Sequence, residues 1–148
     1  MSLSEQLNID LRTALKSGDK LRAQTLRGLK SAVRYAEIEA GTALDDEGIM
    51  TVIAKEAKQR RDSMAEFKKG RRDDLVEQEA AELAILEQYL PAQLSAEEIK
   101  ARAKAIIAEL GVTDMKGMGQ VMGRLMVDLK GQADGKLVNQ VVRRLLSD

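Results

Sequence analysis

This chain has no cysteine, no histidine, no tryptophan and a single proline in 148 residues. The first two absences remove thiol nucleophiles, disulfides, imidazole bases and nearly all zinc or haem ligation, which leaves carboxylate, hydroxyl and amine chemistry. Aromatic residues are 2% of the chain, with Tyr35, Phe67 and Tyr89 the whole set. Many-stranded β architecture and platforms for stacking splayed bases are both poorly supplied by so few rings. Net charge is also missing: 24 basic and 24 acidic side chains cancel, which argues against indiscriminate coating of nucleic acid or an anionic membrane. No apolar run approaches the roughly 20 residues of a membrane-spanning helix. Ser2 and Glu5 open a helix rather than the basic-then-apolar layout of an export signal. The expectation is a soluble cytoplasmic protein with no membrane partner, metal or cofactor.

What is present favours helix. Hydrophobic residues make up 44% and charged residues 32% of the chain, and their spacing is helical. Leu3, Leu7, Leu11 and Leu15 recur every four residues, and Ser17-Gly18-Asp19 closes that helix and offers Asp19 as the next N-cap. Leu26, Leu29, Val33 and Ala36 share a second face that stops at Gly41. Asp45 then caps the longest segment, carrying Ile49, Val52, Ile53, Ala57, Met64 and Phe67. Gly70-Arg71-Arg72-Asp73-Asp74 is a turn with acids placed against the positive end of the next helix dipole, and Val76, Ala80, Leu83, Leu86 and Leu90 point inward from that helix.

Pro91 disfavours helix at Leu90, and Ser95-Ala96-Glu97-Glu98 is a capping box that starts again. Beyond it lie three short stripes: Ile99, Ala103, Ile106 and Leu110; Met118, Met122 and Met126; Leu137, Val138, Val141 and Leu145. Helices this short are marginal alone in water, so they are expected to bury their faces together. The fold expected is all-α, an N-terminal bundle of about four helices over residues 1–90 and a compact three-helix domain over 91–148.

The tail is glycine-rich where helix formers would serve. Gly119 and Gly123 are four apart on one helix face; the spacing favours close packing of another helix, and the functional alternative is bare backbone meeting a ligand phosphate or sugar. Neither the Gly117–Gly123 spacing nor Gly131-Gln132-Ala133-Asp134-Gly135-Lys136 makes a nucleotide-binding fingerprint, the latter lacking a Ser or Thr at Leu137. Gly131 as helix stop, Asp134 as N-cap and Lys136 beside the amide-rich helix start can hold an anion, or form a capped hairpin with a solvated lysine. The basic stretch Lys55–Arg72 is interleaved with Glu56, Asp62, Glu66, Asp73 and Asp74 and reads as a solvated, self-neutralised face. The methionine stripe reads as ordinary core.

Lys58-Gln59-Arg60-Arg61-Asp62-Ser63, the Gly70–Leu75 turn, Tyr89-Leu90-Pro91-Ala92-Gln93-Leu94-Ser95 and the Met118–Asn139 tail together resemble the YqeY-like proteins of bacteria, nearly end to end. That family shares its C-terminal module with the tail of the B subunit of glutamine-dependent tRNA amidotransferases, where the resemblance implies a domain that helps hold the tRNA. Where such proteins often have a proline after the Leu125-Met126 pair, this chain has Val127. Carried over by position, the RNA-facing group is Lys116, Gly117, Gly119, Gly123, Lys130, Gly131, Gly135, Lys136 and Asn139, extended by Arg143 one turn later. The function implied is non-catalytic binding of tRNA or another structured RNA. Two alternatives stand beside it: docking through the N-terminal helices on an amidotransferase, synthetase or other protein partner in tRNA-dependent amidation, and the family-associated carbon–nitrogen ligation with glutamine as amide donor, for which no catalytic residue is visible.

Overall fold

The computed structural model describes residues 1–147. Helix is the only regular structure among them: α1 (Leu3–Ser17), α2 (Lys20–Ala40), α3 (Asp46–Lys69), α4 (Asp73–Glu87), α5 (Ala96–Leu110), a 3-10 turn (Met115–Gly117), α6 (Met118–Asp128) and α7 (Gly135–Ser147). The chain divides into two compact units, Met1–Leu90 and a second that begins at Pro91.

In the first unit the helix ends are written in side chains. Ser2 and Glu5 cap α1 reciprocally, Gly18 closes it in the left-handed conformation, Asp19 accepts the Arg22 N–H, and Asp45 accepts the Gly48 N–H. Each such cap satisfies amide groups that the helix itself cannot, typically a contribution of about 1 kcal/mol. Leu7, Leu26, Leu29, Val33, Ile49, Ile53, Ala57, Ile85, Leu86 and Leu90 form one buried cluster. The Tyr89 hydroxyl donates to Asp10, and burial first, then that hydrogen bond, hold its pKa well above the ordinary phenol range. One difference lies in the α3–α4 turn: the left-handed residue is Arg71 (φ 57), whereas Gly70 keeps an ordinary negative φ. The glycine suggested the turn, but the strained position falls one residue later.

The second unit packs α5, α6 and α7 on one another. Ser95 and Glu98 form the capping box of α5, and Gly111 ends that helix with φ 68. The buried centre is Ile99, Ala103, Ile106, Val121, Leu125, Leu129, Val138, Val142 and Leu146. The expected stripes are therefore displaced on two helices. Met118, Met122 and Met126, and likewise Leu137, Val141 and Leu145, are only half-buried and flank the centre, whereas Val138 of the expected α7 stripe lies within it. Both helices carry two neighbouring apolar stripes, and mutual packing chooses the central one. The segment before α5 is tied down as well: Leu94 N–H donates to the Gln132 carbonyl at 2.8 Å, and the Gln93 amide donates to the Gly131 carbonyl at 2.7 Å.

Candidate functional site

The candidate residues fall into two groups once placed on the second unit. Gly117 and Gly131 have reasons internal to the fold. A Cβ on Gly117 would lie 2.3 Å from Val112 Cγ1, so the 3-10 turn closes on Val112 only because that side chain is absent. Gly131 adopts φ 76, a left-handed conformation that suits glycine, and its carbonyl receives Gln93.

Gly119 and Gly123 behave differently. Both are exposed, and a Cβ built on either meets nothing within 4 Å. Close packing of another helix, which their spacing favoured, is thus not seen at either glycine among the described residues of the second unit. They lie on the outer side of α6, whose inner side buries Val121, Leu125 and Leu129. Val127 continues the outer side with 74% of its surface exposed, and α6 runs straight through the position where a proline was expected by resemblance. Helical periodicity sets Met122 and Met126 at the border between the glycine side and the core. Met126 Cε lies 3.7 Å from where a Cβ of Gly135 would stand, which puts the start of α7 beside that border.

At the start of α7, Asp134 does what a cap requires: its carboxylate accepts the Lys136 N–H at 3.4 Å and its carbonyl accepts the Val138 N–H at 3.1 Å. Lys136, Gln140, Arg143 and Ser147 recur at spacings of three and four and so share one face of α7, with the half-buried Asn139 between that face and the buried stripe of Val138, Val142 and Leu146. No acid occurs anywhere in α7. Lys116 stands exposed in the 3-10 turn, where its own N–H is taken by Asp114, and Lys130 is exposed just beyond α6. These residues offer open helix backbone at Gly119 and Gly123 on α6 and amide and cationic side chains on α7, with Asp114, Asp128 and Asp134 near them in the chain. No group of three or more carboxylates that could hold a metal occurs among the described residues.

The basic stretch of α3 is neutralised at Lys58, Arg60, Arg61 and Lys69, and part of that neutralisation comes from a second helix. Lys58 pairs with Asp62 at 3.0 Å within α3, whereas Arg60 faces Glu82 at 3.1 Å and Glu79 at 3.7 Å, and Arg61 faces Glu87 at 3.4 Å, all on α4. Gln93 was overlooked as a positioning residue. Its only signal was membership of the Tyr89–Ser95 motif, and its partner lies 38 residues later.

These features belong to a helical protein of known kinship. The chain is a member of the YqeY family: the model described as "Yqey-like protein" matches residues 4–146. Among curated proteins it resembles "Altered inheritance of mitochondria protein 41, mitochondrial" of Kluyveromyces lactis, 40% identical over 123 residues that cover 80% of this chain and 66% of that one. The protein of the same name from Lachancea thermotolerans is 41% identical over 108 residues, covering 70% and 57% of the two chains. The one from Pyrenophora tritici-repentis is 30% identical over 149 residues, covering 95% and 79%. The matched part thus spans less than two thirds of the first two relatives. Their names overturn two expectations, the cytoplasmic placement and the bacterial label, because these relatives are mitochondrial proteins.

Proposed function

We propose that this chain is a non-catalytic binding protein for tRNA or another structured RNA, which it contacts through the outer side of α6 and the polar face of α7. The observation that carries the reading is the open pair Gly119 and Gly123. Each costs a helix about 1 kcal/mol relative to alanine, and among the described residues nothing lies within 4 Å of a Cβ built on either. A sugar–phosphate backbone can approach there to contact distance, with Lys116, Lys130, Lys136 and Arg143 as phosphate contacts and Asn139 as a sugar or phosphate hydrogen-bonder. The resemblance of the tail to a tRNA-holding module supports the same assignment. Amide-transfer chemistry is left to a partner.

Replacing Lys130, Lys136 and Arg143 together by alanine is expected to weaken binding to bulk tRNA. The slope of log K against log salt should become shallower by roughly 0.7–0.9 per lost contact. Gly119→Leu and Gly123→Leu should lose affinity while the protein melts normally. Wild-type protein that binds no tRNA at low salt sinks the reading. A second reading, docking on a protein, is favoured by a groove of about 260 Å³ between α5 and α7, floored by Leu137, Val141 and Leu145 and edged by Lys100 and Arg144. Recovery of one protein partner after nuclease treatment would select it.

A further inference from the structure

The first unit carries a surface of positive charge of its own, on α2. From Lys20 to Ala36 the sequence contains Lys20, Arg22, Arg27, Lys30 and Arg34 and no acid at all, within a chain whose total charge is zero. Arg22 is engaged by Asp19 and Gln88. Lys20, Arg27, Lys30 and Arg34 are exposed and pair with no carboxylate among the described residues. Lys20, Arg27 and Arg34 recur every seven residues, which aligns them in one row along the helix at intervals of about 10.5 Å. Gln24 and Ser31 lie beside that row, and so does Gly28, exposed and with nothing within 4 Å of a Cβ built on it.

Every one of these features runs against the needs of the helix. Lys20 and Arg22 stand in the first turn, at the positive end, where Asp19 answers only Arg22, and there is no acid in the first turn and no base in the last. Arg27, Lys30 and Arg34 stand three and four apart, where like charges repel. A glycine interrupts the middle of the row, and Tyr35 and Ile38, 66% and 67% exposed, extend into solvent at its end. Local rules broken together on one face, without compensation inside the fold, mark a surface shaped by something outside it.

We propose that this face of α2 is a nucleic-acid contact surface that grips the phosphate backbone of an RNA strand without reading its sequence. Lys20, Arg27 and Arg34 contact successive stretches of backbone, Gln24 and Ser31 hydrogen-bond sugar or phosphate oxygens, and Gly28 lets the strand lie against the helix. Nucleic acid is favoured over a membrane surface because the apolar side of α2, with Ala23, Leu26, Leu29 and Val33, is buried in the core, which leaves Tyr35 and Ile38 as its exposed large apolar side chains, too small a face to seat the helix in a bilayer. The assignment does not depend on the reading of the second unit.

The test uses the full chain with three substitutions, Lys20→Gln, Arg27→Gln and Arg34→Gln. Affinity for a single-stranded RNA of mixed sequence and for bulk tRNA, at two salt concentrations, is compared with the wild type and with the Lys130/Lys136/Arg143 alanine variant. The triple glutamine variant should bind about tenfold more weakly at low salt, with a salt slope shallower by about 2. Gly28→Leu, which adds helix propensity and blocks the close approach, should lose affinity without melting earlier. Unchanged RNA affinity and slope in the triple glutamine variant overturn the proposal, whatever the alanine variant does. So does binding to anionic phospholipid vesicles that the triple glutamine variant loses while RNA binding stays intact.

Discussion

Helices α2 and α3 are both rich in arginine and lysine, yet they treat that charge in opposite ways. Helix α3 places Asp46 and Glu47 in its first turn and Lys68 and Lys69 in its last, with the dipole, and it matches Lys58, Arg60, Arg61 and Lys69 to carboxylates at 3.0–3.4 Å. Helix α2 reverses the polarity and leaves a row of cations unmatched. Each favourable end charge or spaced pair is worth only a few tenths to about 1 kcal/mol. Over a helix the difference still reaches a few kcal/mol, enough to matter in a domain of ordinary marginal stability. Charge that serves the fold is oriented and paired; charge that is neither is available to a partner.

The sharpest way to break this comparison is to delete one arginine from each helix. Arg60 and Glu82 are only 21% and 12% exposed, with the buried Nε of Arg60 held by proximity of charge rather than by an aligned hydrogen bond. Removing Arg60 leaves Glu79 and Glu82 facing one another on α4 without their cation. Arg60→Ala should therefore cost about 2 kcal/mol in chemical denaturation, below the range for a fully buried pair because solvent still reaches this one. Arg27→Ala should stay within about 0.5 kcal/mol of wild type. A loss at Arg27 as large as that at Arg60 would show that α2 depends on its cations for folding, and the contrast would collapse.

A second comparison sets Gly117 against Gly119, two positions apart. Gly117→Ala forces a methyl into Val112, an overpacking expected to destabilise by about 1–2 kcal/mol. Gly119→Ala meets open space and should stabilise by up to about 1 kcal/mol, as should Gly28→Ala on α2. Thermal melts of the three variants decide the matter by sign alone. If Gly119→Ala melts earlier than wild type, that glycine has a structural role and no longer supports the functional reading of α6.

Much of the local architecture was legible because it is written in neighbours. The reciprocal pairs Ser2 with Glu5 and Ser95 with Glu98, the caps at Asp19 and Asp45, and the stops at Gly18, Gly41 and Gly111 lie within a few residues of the helices they bound, and the all-helical class follows from them. What was not legible depended on contacts between distant segments. Val121, Leu125 and Leu129 displace the methionines as the centre of α6 because α5 and α7 meet that side. Gln93 grips Gly131 across a gap no local pattern spans. At the candidate site the sequence suggested the same packing role for Gly119 and Gly123, and only the empty space above them removes it. The unpaired row on α2 is not legible in sequence for a related reason: the run of charge on α3 is denser, and its neutralisation by Glu79, Glu82 and Glu87 exists only once α4 lies beside it.

The smallest expected effect probes that neutralisation from the acidic side. Burial first, then the charge of Glu82, raise the Glu79 carboxyl above its ordinary value, and the pull of Arg60 does not fully offset them. The folded protein therefore holds the Glu79 proton more tightly than the unfolded chain does, so the ionised form costs stability at neutral pH. That cost is relieved as pH falls through the raised folded value and is gone below the ordinary value of 4.5. Glu79→Gln keeps the shape and removes the charge. It should melt about 1–2 °C above wild type at pH 7, with the advantage shrinking steadily as pH is lowered and absent once both carboxyls would be protonated. A variant that melts below wild type at pH 7 would mean that attraction to Arg60 outweighs burial at this position, and that α3 needs both of its facing glutamates rather than Glu82 alone.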